Sequence, residues 1–116
     1  EGFSTKEWSV VGGNEPNCGF WDGTQQDYFT LLQHTFQALK SVSSLLRVGG
    51  PATCQSQWIN DTLNFCAANG IKLDFVSTHE YPSDPFNGDR RMVMYDVMSD
   101  TRSLAGSTPV IYTEFN

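Results

Sequence analysis

Short β-branched runs alternate along this chain with longer stretches whose apolar residues recur every three or four positions, and that alternation decides the fold class. Trp8-Ser9-Val10-Val11 reads as a strand closed by Gly12-Gly13. Asp22-Gly23-Thr24 supplies helix-start chemistry, with Asp27 in the first turn. Tyr28, Leu32, Phe36, Leu39, Val42 and Leu46 then mark one apolar helix face. Leu46-Arg47-Val48 reads as a short second strand, closed by Gly49-Gly50-Pro51. Ser56 can cap a second helix carrying Trp58, Ile59, Leu63 and Cys66, which Asn69-Gly70 ends. A third strand covers Leu73–Ser77, and His79 to Gly88 reads as a loop. Asp89 to Leu104 is a weaker helical stretch, with Met92, Val93, Val97 and Met98 loosely on one side. Val110-Ile111-Tyr112-Thr113 is the last strand.

The order β-α-β-α-β-α-β, at ~30 residues per unit, implies parallel strands covered by helices. An open doubly wound sheet and a section of a (β/α)8 barrel both satisfy it. A whole barrel needs ~250 residues, and the chain has 116. It starts a few residues before one strand and stops directly after another. The expectation is therefore an α/β chain forming part of a (β/α)8 TIM barrel. Residues 1–116 are expected to form one partial domain of such a barrel, truncated at both ends, with about four parallel strands and three helices on one face.

Charge removes several function classes. Seven Lys and Arg stand against thirteen Asp and Glu, for a net charge of -6. A nucleic-acid binder needs a basic surface, and so does electrostatic docking on an anionic membrane. No apolar run approaches the ~20 residues of a membrane span. Residues Glu1 to Glu7 are polar and show no signal-peptide core. The cysteines Cys18, Cys54 and Cys66 include no C-x-x-C pair, so a zinc or thioredoxin-like site has no support. Cys18 and Cys54 fall in neighbouring loops and are the one pair placed to bond, while Cys66 lies on the buried side of its helix. Asn60-Asp61-Thr62 is a glycosylation sequon of a kind that arises often by chance.

Ligands of parallel α/β folds meet the carboxyl ends of the strands. Those ends carry Asn14-Glu15-Pro16-Asn17, Gly49-Gly50-Pro51-Ala52-Thr53, Ser77-Thr78-His79-Glu80-Tyr81-Pro82 and Glu114-Phe115-Asn116. Two of them present a carboxylate, and acid-base chemistry on a sugar needs two carboxylates flanking one bond. Glu15 and Glu114 can supply these if the sheet curls as a barrel does; in an open sheet ~15 Å would separate them. Taken singly, each has a bland reading as a solvated loop residue or helix cap, and His79-Glu80 as an ordinary loop pair. His34, mid-helix beside the apolar face, reads as a surface or boundary histidine with no role. The glycine pairs lack phosphate-loop spacing, His79-Glu80 does not continue to H-E-x-x-H, and no G-x-S-x-G elbow occurs.

These stretches, in this order, resemble glycoside hydrolase family 39, the β-xylosidases and α-L-iduronidases. The resemblance rests on Asn14-Glu15-Pro16-Asn17 with Phe20-Trp21 and Tyr28-Phe29, then Val48-Gly49-Gly50-Pro51-Ala52, Trp58 and Leu63-Asn64-Phe65-Cys66. It continues through Leu73-Asp74-Phe75-Val76-Ser77-Thr78-His79 to Thr113-Glu114-Phe115-Asn116. It implies a retaining exo-glycosidase working through a covalent glycosyl-enzyme. Glu15 would be the acid/base on the fourth barrel strand and Glu114 the nucleophile on the seventh. Asn14 would hold the neighbouring sugar hydroxyl. His79 and Tyr81 would line the subsite, with Tyr81 orienting the nucleophile. The chain would be barrel units four to seven. Gly13 departs from the pattern, since similar proteins usually carry Trp there.

Asn17 and Phe20-Trp21 resemble the β-xylosidase branch. An α-L-iduronidase needs a basic residue for the uronic carboxylate, and His79-Glu80-Tyr81 brings none. The alternatives are an α-L-iduronidase-like hydrolase of the same family and a non-catalytic carbohydrate-binding α/β barrel. The expected partner is a carbohydrate, a xyloside or related oligosaccharide, with no nucleic acid and no membrane. The chemistry calls for no cofactor and no metal. The family resemblance fits a secreted or lysosomal setting. The isolated segment is expected to be inactive.

Overall fold

The computed structural model describes the backbone of residues 9–11 and the whole of residues 13–116. Trp8, Gly12 and the polar start of the chain lie outside the described residues. Four strands and three helices follow in the expected order. They are β1 (Ser9–Val11), α1 (Gln25–Val42), β2 (Arg47–Cys54), α2 (Ile59–Ala68), β3 (Phe75–Glu80), α3 (Val93–Ala105) and β4 (Val110–Phe115). The strands pair in the order β1-β2-β3-β4, and every pairing is parallel. Right-handed crossovers between strands added always on the same side put all three helices on one face. That is the arrangement of a barrel arc, and it lines up all four carboxyl ends along one edge. No described helix is long and apolar enough to cross a membrane.

Helix α1 starts where Thr24 and Asp27 cap each other's backbone N–H groups, satisfying two of the first-turn donors. Tyr28, Phe29 and Leu32 are its buried residues. Two residues assigned to that face leave it: Val42 is 79% exposed, and Leu46 lies beyond the helix end. Helix α2 is not capped by Ser56. Its first turn starts from Trp58, which has a left-handed backbone, and the Ser56 hydroxyl instead donates to the Val97 carbonyl on α3. Helix α3 buries Val93, Val97, Thr101 and Ala105, a strict four-residue spacing, while Met92 is exposed at its start. His34 is exposed, as expected. The sequon falls in α2 with Thr62 buried, which leaves it the bland reading.

Two apolar clusters lie between helices and sheet. Leu32, Cys66, Ile71 and Leu73 form one with Phe36 and Phe65; Ile59, Val76 and Ala105 form the other with Leu63 and Val110. Strand β2 runs straight through Gly49-Gly50-Pro51, where the sequence suggested a stop. The reason is packing across the sheet. A Cβ at Gly49 would overlap the Phe75 ring and carbonyl, so only glycine allows β2 and β3 to approach. Pro51 gives its carbonyl to the Tyr28 hydroxyl of α1 at 2.6 Å. Strand β3 starts at Phe75 and extends through His79 and Glu80, so both belong to a fully buried strand rather than a loop.

Asp74 ties the amino-terminal ends of β2 and β3 together. Its carboxylate accepts from the Val48 N–H at 2.8 Å and from Lys40 Nζ at 2.7 Å. Partial burial pushes this carboxyl up, but Lys40, the Val48 N–H and Arg47 together hold it below the ordinary aspartate value of 3.8. Asp74→Ala is expected to lower unfolding stability by ~1–3 kcal/mol, because it leaves the Val48 N–H without its acceptor and Lys40 without its counter-charge, with only the Leu46 and Ser44 carbonyls remaining to the lysine. A carboxyl with a depressed folded value stabilises above its unfolded value, and the contribution fades as pH falls through the folded one. Urea melts of the two proteins should therefore differ at neutral pH and converge in acid.

Candidate active site

The site begins with two places where the strands break register. Between Pro51 and Thr53 the pairing of β2 with β3 shifts by one residue, leaving Ala52 as the extra residue with a positive φ of 56°. Such a bulge re-aims the backbone locally. Here the Ala52 carbonyl accepts from the Glu15 N–H at 2.8 Å, while the Ala52 N–H donates to the Ser77 hydroxyl. The second shift lies in β4, where Tyr112 pairs with Thr78 but Glu114 pairs with His79. Thr113 is the extra residue. Side chains alternate faces along a strand, so the added residue sets which face Glu114 presents.

These shifts bring Glu15 and Glu114 to the same ring nitrogen of His79. The imidazole is 2% exposed. Its Nδ1 lies 2.9 Å from Glu15 Oε1 and 3.8 Å from Glu114 Oε2, and its Nε2 lies 2.9 Å from Thr113 Oγ1. The network assigns the proton to Nδ1, donating to the Glu15 carboxylate, so that Nε2 accepts from the Thr113 hydroxyl. The Tyr81 hydroxyl donates to Glu114 Oε2 at 2.7 Å. That bond, then slight burial and the charges of Glu114 and Glu15, hold the phenol above its ordinary value of 10.0. Tyr81 therefore stays a donor throughout the neutral range.

One oxygen each of Glu15 and Glu114 and one His79 nitrogen lie within 4.8 Å of one another. Three such atoms could face a cation. Yet both imidazole nitrogens are already committed to Glu15 and Thr113, so the histidine is set as a bridge between side chains. Of the five residues singled out in the sequence, Glu15, His79, Tyr81 and Glu114 thus meet in one cluster. Asn14 does not join it; it is exposed on the turn beside Glu15.

Glu15 itself adopts φ 41°, a left-handed backbone that costs a non-glycine residue and persists only where its surroundings enforce it. Asn17 supplies part of that enforcement. Its Oδ1 accepts from the Cys54 N–H at 3.0 Å, and its Nδ2 donates to the Cys54 carbonyl and to Gln57 Oε1. Cys18 and Cys54 form a disulfide, with Cα atoms 6.5 Å apart, the pairing expected from their loops. Cys66 is free and buried, and burial pushes its thiol up to about 11. Gly13, where similar proteins carry Trp, has φ 137°, and a Cβ there would come within 2.9 Å of the Tyr28 ring. Trp21 packs edge-on to Tyr28 at 5.9 Å and donates to the Thr24 carbonyl, a structural role, and Phe20 is exposed. Thr113 and the Ala52 bulge carried no recognisable signal in the sequence, because a register shift depends on two strands at once.

The model of a family described as Glycosyl hydrolases family 39 matches residues 3–112. A β-xylosidase of Caldicellulosiruptor saccharolyticus is 40% identical over 124 aligned positions, covering 96% of this chain and 25% of its own length. A β-xylosidase of Geobacillus stearothermophilus is 46% identical over 82 positions, covering 67% of this chain and 16% of its own length. The crystal structure of a family 39 enzyme from Xanthomonas axonopodis pv. citri superposes with a TM-score of 0.87 at 28% identity. It covers 97% of this chain and 26% of that one. The chain thus spans about a quarter of these relatives at most, and its α/β arc is part of the (β/α)8 barrel.

The cysteine arrangement yields a direct expectation. Native protein should take up no thiol label at pH 8, because the disulfide holds two cysteines and the third is buried and neutral. Denaturation without reductant should release one site, and reduction should raise the count to three. Mass spectrometry after iodoacetamide treatment reads each state.

Proposed function

Because the chain belongs to glycosyl hydrolases family 39, we propose that it carries the catalytic carboxylates of a retaining, exo-acting β-xylosidase. Its 116 residues then correspond to units four to seven of a catalytic (β/α)8 barrel. The observation that carries this reading is the approach of Glu15 and Glu114 to within 4.8 Å, oxygen to oxygen. Retaining enzymes hold their carboxyls ~5–5.5 Å apart, whereas inverting enzymes leave ~6.5–9.5 Å for a water.

Each oxygen has a task under this reading. Tyr81 occupies Glu114 Oε2, which leaves Oε1 to attack the anomeric carbon. His79 Nδ1–H occupies Glu15 Oε1, so the acid proton sits on Oε2, free to meet the glycosidic oxygen. In the first step the Glu114–sugar ester forms as the glycosidic bond breaks, and the leaving oxygen takes the proton from Glu15. In the second, Glu15 removes a proton from water, the water oxygen attacks the same carbon, and the ester releases Glu114. Asn14, exposed beside Glu15, would hold the adjacent sugar hydroxyl. A neutral pentose fits the surroundings better than a uronic acid, since no Lys or Arg joins Glu15, His79, Tyr81 and Glu114 among the described contacts.

In the full-length chain, Glu114→Gly should lower kcat by roughly 10⁴-fold or more on every xyloside, because the covalent step is lost. Glu15→Ala should cripple hydrolysis of xylobiose while sparing activated aryl xylosides, whose leaving groups need no proton. Equal losses on both substrates would remove Glu15 from the acid/base role. Tyr81→Phe should lower kcat roughly tenfold with a smaller change in KM, since the bond to Glu114 orients the attacking group and does not hold the sugar. Steady-state kinetics on the two substrate types checks all three.

A further inference from the structure

Strand β3 ends at Glu80, which pairs with Phe115 of β4. Tyr81, whose hydroxyl reaches Glu114, is therefore the first residue that the sheet no longer holds. That hydroxyl lies at the far end of the side chain, so a small rotation of the Tyr81 backbone takes it out of hydrogen-bond distance of Glu114. We infer that Asn87 is a positioning residue for the reaction: its amide ties the Tyr81 carbonyl to the end of β3 and so sets the phenol against Glu114. The inference rests on the roles of Glu114 and Tyr81 proposed above.

Asn87 closes a 3-10 turn, Pro85–Asn87, whose other two residues are exposed, yet it is itself only 4% exposed. Its Nδ2 donates to Glu80 Oε1 at 2.7 Å and to the Tyr81 carbonyl at 2.8 Å. Its Oδ1 accepts from Gln55 Nε2 at 3.1 Å. Both amide protons are thus used, and the network admits one orientation only, because the flipped amide would set its oxygen against two acceptors. Two of the three partners are anchored in their own right. Glu80 is buried in β3, and the Gln55 N–H donates to the His79 carbonyl at 3.0 Å. The third, the Tyr81 carbonyl, also accepts the Asp84 N–H at 2.8 Å, a bond within its own turn. The Asn87 bond is the one that joins this carbonyl to the strand. A side chain of the same size without a donor would fill the space and still leave Tyr81 untied.

The experiment measures kcat and KM of the full-length chain on an aryl xyloside, with thermal melts of each variant. Asn87→Ala should lower kcat roughly fivefold with a smaller change in KM. In a Tyr81→Phe background the same substitution should lower kcat less than about twofold, because the bond it protects is already gone. A swap variant, Glu80→Gln with Asn87→Asp, exchanges donor and acceptor between the two positions. It keeps their hydrogen bond and the net charge and removes only the donor to Tyr81. It should melt near wild type and still lose kcat. Unchanged kcat in Asn87→Ala, additive losses with Tyr81→Phe, or wild-type kcat in the swap variant overturns the inference alone. Loss of the fold in both Asn87 variants also overturns it, since Asn87 would then serve the fold and not Tyr81. If Tyr81→Phe itself leaves kcat unchanged, the role given to Tyr81 fails and the inference fails with it.

Discussion

The buried imidazole of His79 is the constraint on which the site depends. It is held at both nitrogens, by Glu15 sixty-four residues before it and by Thr113 thirty-four residues after it. Three strands, β1, β2 and β4, must therefore be in register with β3 before the cluster can close. A histidine on a central parallel strand would ordinarily be a poor core residue. Here its polar atoms are satisfied by side chains that the neighbouring strand ends deliver. The same ring keeps two acidic groups at a fixed spacing, with the donated proton directed to only one of them.

Parallel pairing in sequence order explains why those side chains arrive together. Every strand ends on the same edge, so residues far apart in the chain share one rim. Pairing alone does not aim them. The extra residues Ala52 and Thr113 do so, one by turning a carbonyl toward Glu15 and the other by supplying a hydroxyl to His79 and displacing Glu114 by one register step. Both bulges sit beside the site, where an extra residue re-aims a side chain.

Local periodicity made the order of elements legible, along with the helix start at Thr24, the burial of Cys66 and the pairing of Cys18 with Cys54. The misread boundaries share one cause. Gly49-Gly50-Pro51 has turn composition, but its conformation answers to Phe75 on the next strand. Ser56 has capping chemistry, but the Val97 carbonyl of another helix takes its hydroxyl. His79 and Glu80 look like loop residues because strands seldom bury two titratable groups in succession. Only the partners Glu15, Thr113 and Asn87 make that burial tolerable, and they come from elsewhere in the chain. The carboxylate pair was legible from its place at two strand ends, and the resemblance assigned its roles, whereas its spacing and its histidine bridge belong to the tertiary structure.

The clamp between the first two strand-end loops has a consequence for how such chains can diversify. The Asn17 side chain reads the backbone of residue 54, and a covalent link joins Cys18 to the same residue. The two loops therefore form one inheritable module although thirty-six residues separate them. A chimera between relatives with its crossover anywhere between 18 and 54 would unite halves whose clamp no longer matches, and the Glu15 loop would be the part left unsupported. Crossovers outside that interval keep the module whole, so recombination can vary the rim at β3 and β4 while the geometry around Glu15 is passed on intact.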